Sequence, residues 1–105
     1  SDWTVAPLNP ILGIYAAVTR RTIDGKNPEG WIPEQKITVE EALRCYTVNN
    51  AWAMFAENEV GRLTPGTLAD IAVLSADLFT IAPETIASAV VDMTIVDGEI
   101  AVERK

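Results

Sequence analysis

The chain has 105 residues, 49% of them hydrophobic, and a formal net charge of −7. That length allows one small domain or a piece of a larger one, and the apolar share excludes a disordered chain. The acidic excess lies wholly in residues 37–105, where eleven acids stand against four bases, while residues 1–36 hold four of each; such a surface repels phosphate and argues against a nucleic-acid partner.

No apolar run reaches the roughly 18 residues needed to span a bilayer. The sequence starts on Ser1 without a leader pattern, so a processed or internal segment is expected. Cys45 is the only cysteine. It has no partner for an internal disulfide, which points to a reducing, cytoplasmic home. The chain also lacks histidine. A nucleophilic role for Cys45 or Ser1 is therefore set aside for want of the usual base, and Cys45 is expected to be a buried structural thiol.

In chain order, residues 1–8 read as a strand end and loop. Asn9 is the predicted N-cap of a helix with Pro10 at its first position. Ile11, Ile14, Tyr15 and Val18 recur at helical spacing up to about Arg20. Residues 22–37 form a loop punctuated by Asp24-Gly25, Asn27-Pro28, Gly30 and Pro33. Trp31 in its middle is expected to pack on another body.

Thr38-Val39-Glu40-Glu41 reads as a capping box opening a helix to about Ala56. Val39, Leu43, Tyr46, Asn50 and Ala53 mark one face of it. Cys45, Val48, Trp52 and Phe55 mark another, so the helix is expected to be covered on two sides, which a chain of this size can hardly supply, and a larger body is expected to pack there. Asn49 and Asn50 are poor helix formers, and one is expected to hydrogen-bond a neighbouring loop of that larger body.

From Gly61 the texture changes to strands. Pro65-Gly66 predicts a turn, and Asp70–Leu74 a short buried strand. Pro83–Ile86 predicts a helical turn. Val90–Val96 and Glu99–Arg104 predict a hairpin about Asp97-Gly98, in a type I′ turn. Its expected register sets Ile95 against Ile100 and Met93 against Val102. Asp70 invites a catalytic guess, but its expected task is to accept hydrogen bonds from turn amides.

Several segments together carry a family resemblance. Ser1-Asp2-Trp3-Thr4-Val5-Ala6-Pro7, Asn9-Pro10, the loop Thr22–Glu34, Thr38–Leu43 and Tyr46–Ala51 are its first half. Gly61-Arg62-Leu63-Thr64-Pro65-Gly66-Thr67-Leu68-Ala69-Asp70 and Thr94–Glu99 complete it. The ordered set resembles the amidohydrolase superfamily, and more narrowly its branch of N-substituted formamide deformylase-like metal-dependent hydrolases.

The resemblance implies an α+β fragment. Residues 1–57 would be the last strand end and closing helices of a (β/α)8 barrel. Residues 58–105 would be the C-terminal strands of the small composite β-sandwich domain. It implies that the parent enzyme hydrolyses non-peptide C–N bonds of a small amide or formamide-like substrate with a divalent metal, zinc being the expected one. Asp2 would be a metal ligand and the general base, and Trp3 would touch substrate. The family's other metal ligands, a His-x-His pair, often a lysine, and further histidines, are not in this sequence. The chain alone is therefore expected to hold no metal and to be inactive. Its expected partners are the missing N-terminal part of the parent and, through exposed strand edges, a second copy of itself. The alternative reading is a non-catalytic acidic protein-interaction module.

Overall fold

A computed structural model describes residues 3–105. It is a small α+β structure in which helices α1 (Pro10–Thr19), α2 (Val39–Tyr46) and α3 (Val48–Ala53) precede strands β1 (Ile71–Leu74), β2 (Val91–Val96) and β3 (Glu99–Glu103). Short 3-10 turns occupy Pro33–Gln35 and Pro83–Ser88. The chain divides into two compact units: residues through Leu43 together with Asp77–Ala89, and Arg44–Ala76 together with Val90–Lys105. No helix among the described residues is long and apolar enough to cross a membrane.

The first unit is built on α1. Asn9 caps it, its Oδ1 accepting the Ile11 N–H at 3.0 Å, and Pro10 takes the first position, where no amide partner is needed. Arg20 ends the helix in the left-handed region at φ 56°, its N–H returning to Ala16 O. Ile11, Ile14 and Tyr15 are buried, as their spacing predicts, and α1 packs on the Pro83–Ser88 turn. Leu78, Ile86 and Ala89 complete this core, with Ile86 fully buried. Thr19, the one buried polar residue of the described core, is satisfied because its Oγ1 donates to Tyr15 O and accepts from Arg21 N.

The capping box forms as its spelling predicts. Thr38 Oγ1 accepts the Glu41 N–H at 3.2 Å, while Glu41 Oε2 accepts the Thr38 N–H at 2.8 Å. The helix does not then run unbroken to Ala56. It stops at Tyr46, Thr47 departs from helical angles (φ −125°, ψ −97°), and α3 restarts at Val48. Thr47, Val48, Asn49 and Asn50 are all weak helix formers, so the break falls where propensity is poorest.

The described residues leave the second of the two apolar faces largely uncovered. Cys45, Trp52 and Phe55 are exposed, and the buried positions are the small residues Ala42 and Ala51. No described residue supplies the apolar surface that would bury the larger side chains. Asn49 bonds one turn back, its Nδ2 donating to Cys45 Sγ at 3.8 Å.

A Schellman motif ends α3: the Ala56 N–H bonds Ala51 O at 2.9 Å and the Phe55 N–H bonds Trp52 O at 3.0 Å. Phe55 fills the left-handed position of that motif, at φ 60°.

The second unit's strands form one antiparallel sheet in the order β1-β2-β3. Strand β1 is not buried, since Ala72 and Val73 are exposed and only Ile71 and Leu74 are half-buried. The hairpin turn is type I′, with both central residues at positive φ (Asp97 51°, Gly98 82°). Ile95 faces Ile100, as expected, but a bulge follows: Thr94 pairs with Val102 and Met93 with Glu103. The extra residue is Ala101.

Candidate functional site

The principal site residue read from the sequence, Asp2, lies outside the described residues. Trp3 stands at the start of the described chain, in the turn before α1, and its side chain is exposed.

Arg20 organises the long loop after α1. Its Nε donates to Trp31 O at 2.9 Å, its Nη2 donates to Gln35 Oε1 at 3.3 Å, and its guanidinium lies 5.0 Å from the Trp31 ring centroid. Asn27 Oδ1 accepts from both the N–H and the Oγ1 of Thr22. The loop is thus held by its own side chains. Trp31 has one ring face against Arg20 and remains exposed, and an open cleft of about 370 Å³ lies beside it, lined by Ala16, Arg21, Thr22 and Asn27 as well. Arg20 stands at the helix end where the sequence puts it, but its hold on the loop depends on a positive φ that no residue pattern signals.

The Gly61–Asp70 motif is a set of backbone fixtures. Gly61 sits at φ +85°, and a Cβ there would stand 2.7 Å from Ala51 Cβ and 3.1 Å from Thr47 O. Only glycine permits this approach of the chain to α3. The Pro65-Gly66 turn forms, closed by the Thr67 N–H to Thr64 O at 3.2 Å and by Thr67 Oγ1 donating to Thr64 O and Arg62 O. Leu68 N–H bonds Glu59 O at 2.8 Å, and Gly98 N–H bonds Ala69 O at 3.1 Å. Asp70 Oδ1 accepts the Asp97 N–H at 2.9 Å, the turn-amide role expected of it.

Among the described residues two carboxyl groups have lowered pKa values, and both serve local structure. Thr22 Oγ1, and after it Lys26, stabilise the Asp24 carboxylate in the loop. The Thr38 amide, and after it the Thr38 hydroxyl, stabilise Glu41 in the capping box.

The described residues do not fit a resident divalent metal. Among them no group of three or more His, Cys, Asp or Glu side chains comes together to hold an ion. Zinc takes about three or four such donors, and the sequence offers no imidazole at all.

With this geometry in place, the likeness to known proteins is informative. The chain is 32% identical over 104 residues to the putative amidohydrolase YtcJ of Bacillus subtilis, covering 99% of this chain and 20% of that protein. It is 34% identical over 104 residues to N-substituted formamide deformylase of Arthrobacter pascens, covering 99% of this chain and 19% of that one. An amidohydrolase of Thermotoga maritima MSB8 has the same fold over 98% of this chain and 22% of its own, with a TM-score of 0.71 at 24% identity. The chain therefore spans about a fifth of the length of these relatives. The amidohydrolase family profile matches residues 1–102, and the chain belongs to that family.

Proposed function

We propose that the chain is the C-terminal segment of a metal-dependent amidohydrolase acting on a non-peptide C–N bond of a small amide or formamide. Residues 1–57 close the barrel, and residues 58–105 are the C-terminal half of the small sandwich. The observation that carries this reading is the near-complete match of the chain to N-substituted formamide deformylase, 34% identical over 99% of its length.

In this reading a divalent metal, zinc by the chemistry of the family, is held mostly by residues outside this chain, and Asp2 adds one carboxylate. Asp2 accepts the proton of the attacking water and returns it to the leaving nitrogen as the C–N bond breaks. Trp3, the next residue, lies against the substrate. The chain alone is inactive, since a single carboxylate cannot assemble such a site. With most of its parent missing, it self-associates. The lone Cys45 is in keeping with a reducing cytoplasm.

The test is Asp2→Asn in the full-length protein. Loss of a general base predicts a fall in kcat of about 10²–10⁴-fold with the fold intact. A variant of wild-type rate would remove Asp2 from the chemistry. Zinc titration of the 105-residue chain is the companion measurement, and a tight stoichiometric site would overturn the assignment of the remaining ligands to other parts of the protein.

A further inference from the structure

Phe55 occupies a position where its own chain gives it nothing. It fills the left-handed residue of the Schellman motif, at φ 60°, where glycine is the ordinary choice because a Cβ is strained there. Its side chain is 93% exposed, so no contact within the chain offsets that strain. Trp52 and Met54, on either side of the same helix end, are 70% and 65% exposed. The left-handed backbone holds the Phe55 ring out from the end of α3, a pre-organised aromatic projection.

A second observation lies two residues on. Glu57 Oε2 is buried, and it has no hydrogen-bond partner. A carboxylate oxygen shielded from water and left without a donor is costly. Phe55 lacks an apolar pocket and Glu57 lacks a donor, and both deficits fall at the same end of α3. The relatives supply the place to look for both, because four-fifths of their polypeptide lies outside the part this chain matches.

We propose that Phe55, flanked by Trp52 and Met54, seats in an apolar pocket of the full-length polypeptide outside this chain, and that a donor from the same surface reaches Glu57 Oε2. The proposal rests on reading the chain as a segment of a longer enzyme. It adds that the end of α3 is the anchor by which the segment is held. A cationic donor suits the site, since Glu57 and Glu59 are its nearest charges in sequence.

The sign of one measurement decides it. Phe55→Gly in the full-length protein relieves the positive φ. If the ring were exposed there, the thermal midpoint would stay or rise, and that result would overturn the proposal. If the ring is seated, the midpoint falls by at least about 2 °C. A fall that appears only with dissociation of a dimer would move Phe55 to a subunit interface and overturn the assignment. Should Phe55→Gly fail to fold, Phe55→Cys in a Cys45→Ser background gives the same answer: protection from a maleimide reagent supports the seat, and labelling as fast as in urea rules it out. Neither readout uses hydrolysis, so a full-length protein without amidohydrolase activity would sink the functional reading and leave this one standing.

Discussion

The carboxylate of Asp70 accepts the backbone N–H of Asp97 across 27 positions of sequence at 2.9 Å. It thereby joins the residue just before β1 to the turn between β2 and β3. The neighbouring bond from Gly98 N–H to Ala69 O runs parallel to it. Asp70→Ala should cost about 1 kcal/mol and speed amide exchange at Asp97. Asp70→Asn keeps an acceptor oxygen and should be nearly silent. Equal losses in the two variants would mean that the bond carries no weight.

Gly61 and Ala51 form a steric pair. Gly61→Ala places a Cβ 2.7 Å from Ala51 Cβ at an already unfavourable φ of +85°, and should destabilise by about 1–3 kcal/mol. Ala51→Gly in the same chain removes the clash but not the φ penalty, so it should restore part of the loss. Denaturant unfolding of the double-mutant cycle measures the coupling, and strict additivity would argue against the contact.

The capping box carries a pH dependence. The folded-state pKa of Glu41 is depressed by the Thr38 amide and then the Thr38 hydroxyl. A depressed carboxyl contributes stability that is present above its unfolded pKa and is lost as pH falls through the folded value. Helicity of α2 should therefore decline on acidification below the ordinary glutamate range, and Glu41→Gln should flatten that decline. Circular dichroism against pH reads both. Thr38→Ala removes the cap itself and should cost about 1 kcal/mol near neutral pH, and less once Glu41 is protonated, because the Thr38 hydroxyl also donates to its carboxylate.

Ile86 is the fully buried large side chain of the first unit. Its truncation to alanine should cost about 2–5 kcal/mol, more than any surface change considered above. A loss under about 1 kcal/mol, read by thermal unfolding, would mean that the site collapses around the missing atoms.

What the sequence made legible was local. The Asn9-Pro10 start, the Thr38–Glu41 box, the Pro65-Gly66 turn and the Asp97-Gly98 hairpin each depend on residues within a few positions of one another. The features it concealed depend on distant neighbours. The break at Thr47 lies beside the Gly61 backbone, which sequence separation hides. The exposure of Cys45 follows from what does not pack on α2, and an apolar pattern reports only that a side chain would gain from cover. The bulge at Ala101 shifted the pairing of Met93 by one residue, because turn chemistry fixes register only close to the turn. At the candidate site, Asp2 and Trp3 were singled out by resemblance alone, since a Ser-Asp-Trp run has no periodicity or cap chemistry of its own.

The connection between β1 and β2 has a consequence for anyone shortening this chain. The two strands are antiparallel neighbours, so a tight turn could join them and the stretch between looks dispensable. Yet Leu78, Ile86 and Ala89 lie on that stretch and are buried in the core that α1 completes. Trimming it would preserve the hairpin geometry and strip Ile11 and Ile14 of their cover. This connection should therefore resist deletion as a core helix does, and length variation among relatives should fall elsewhere.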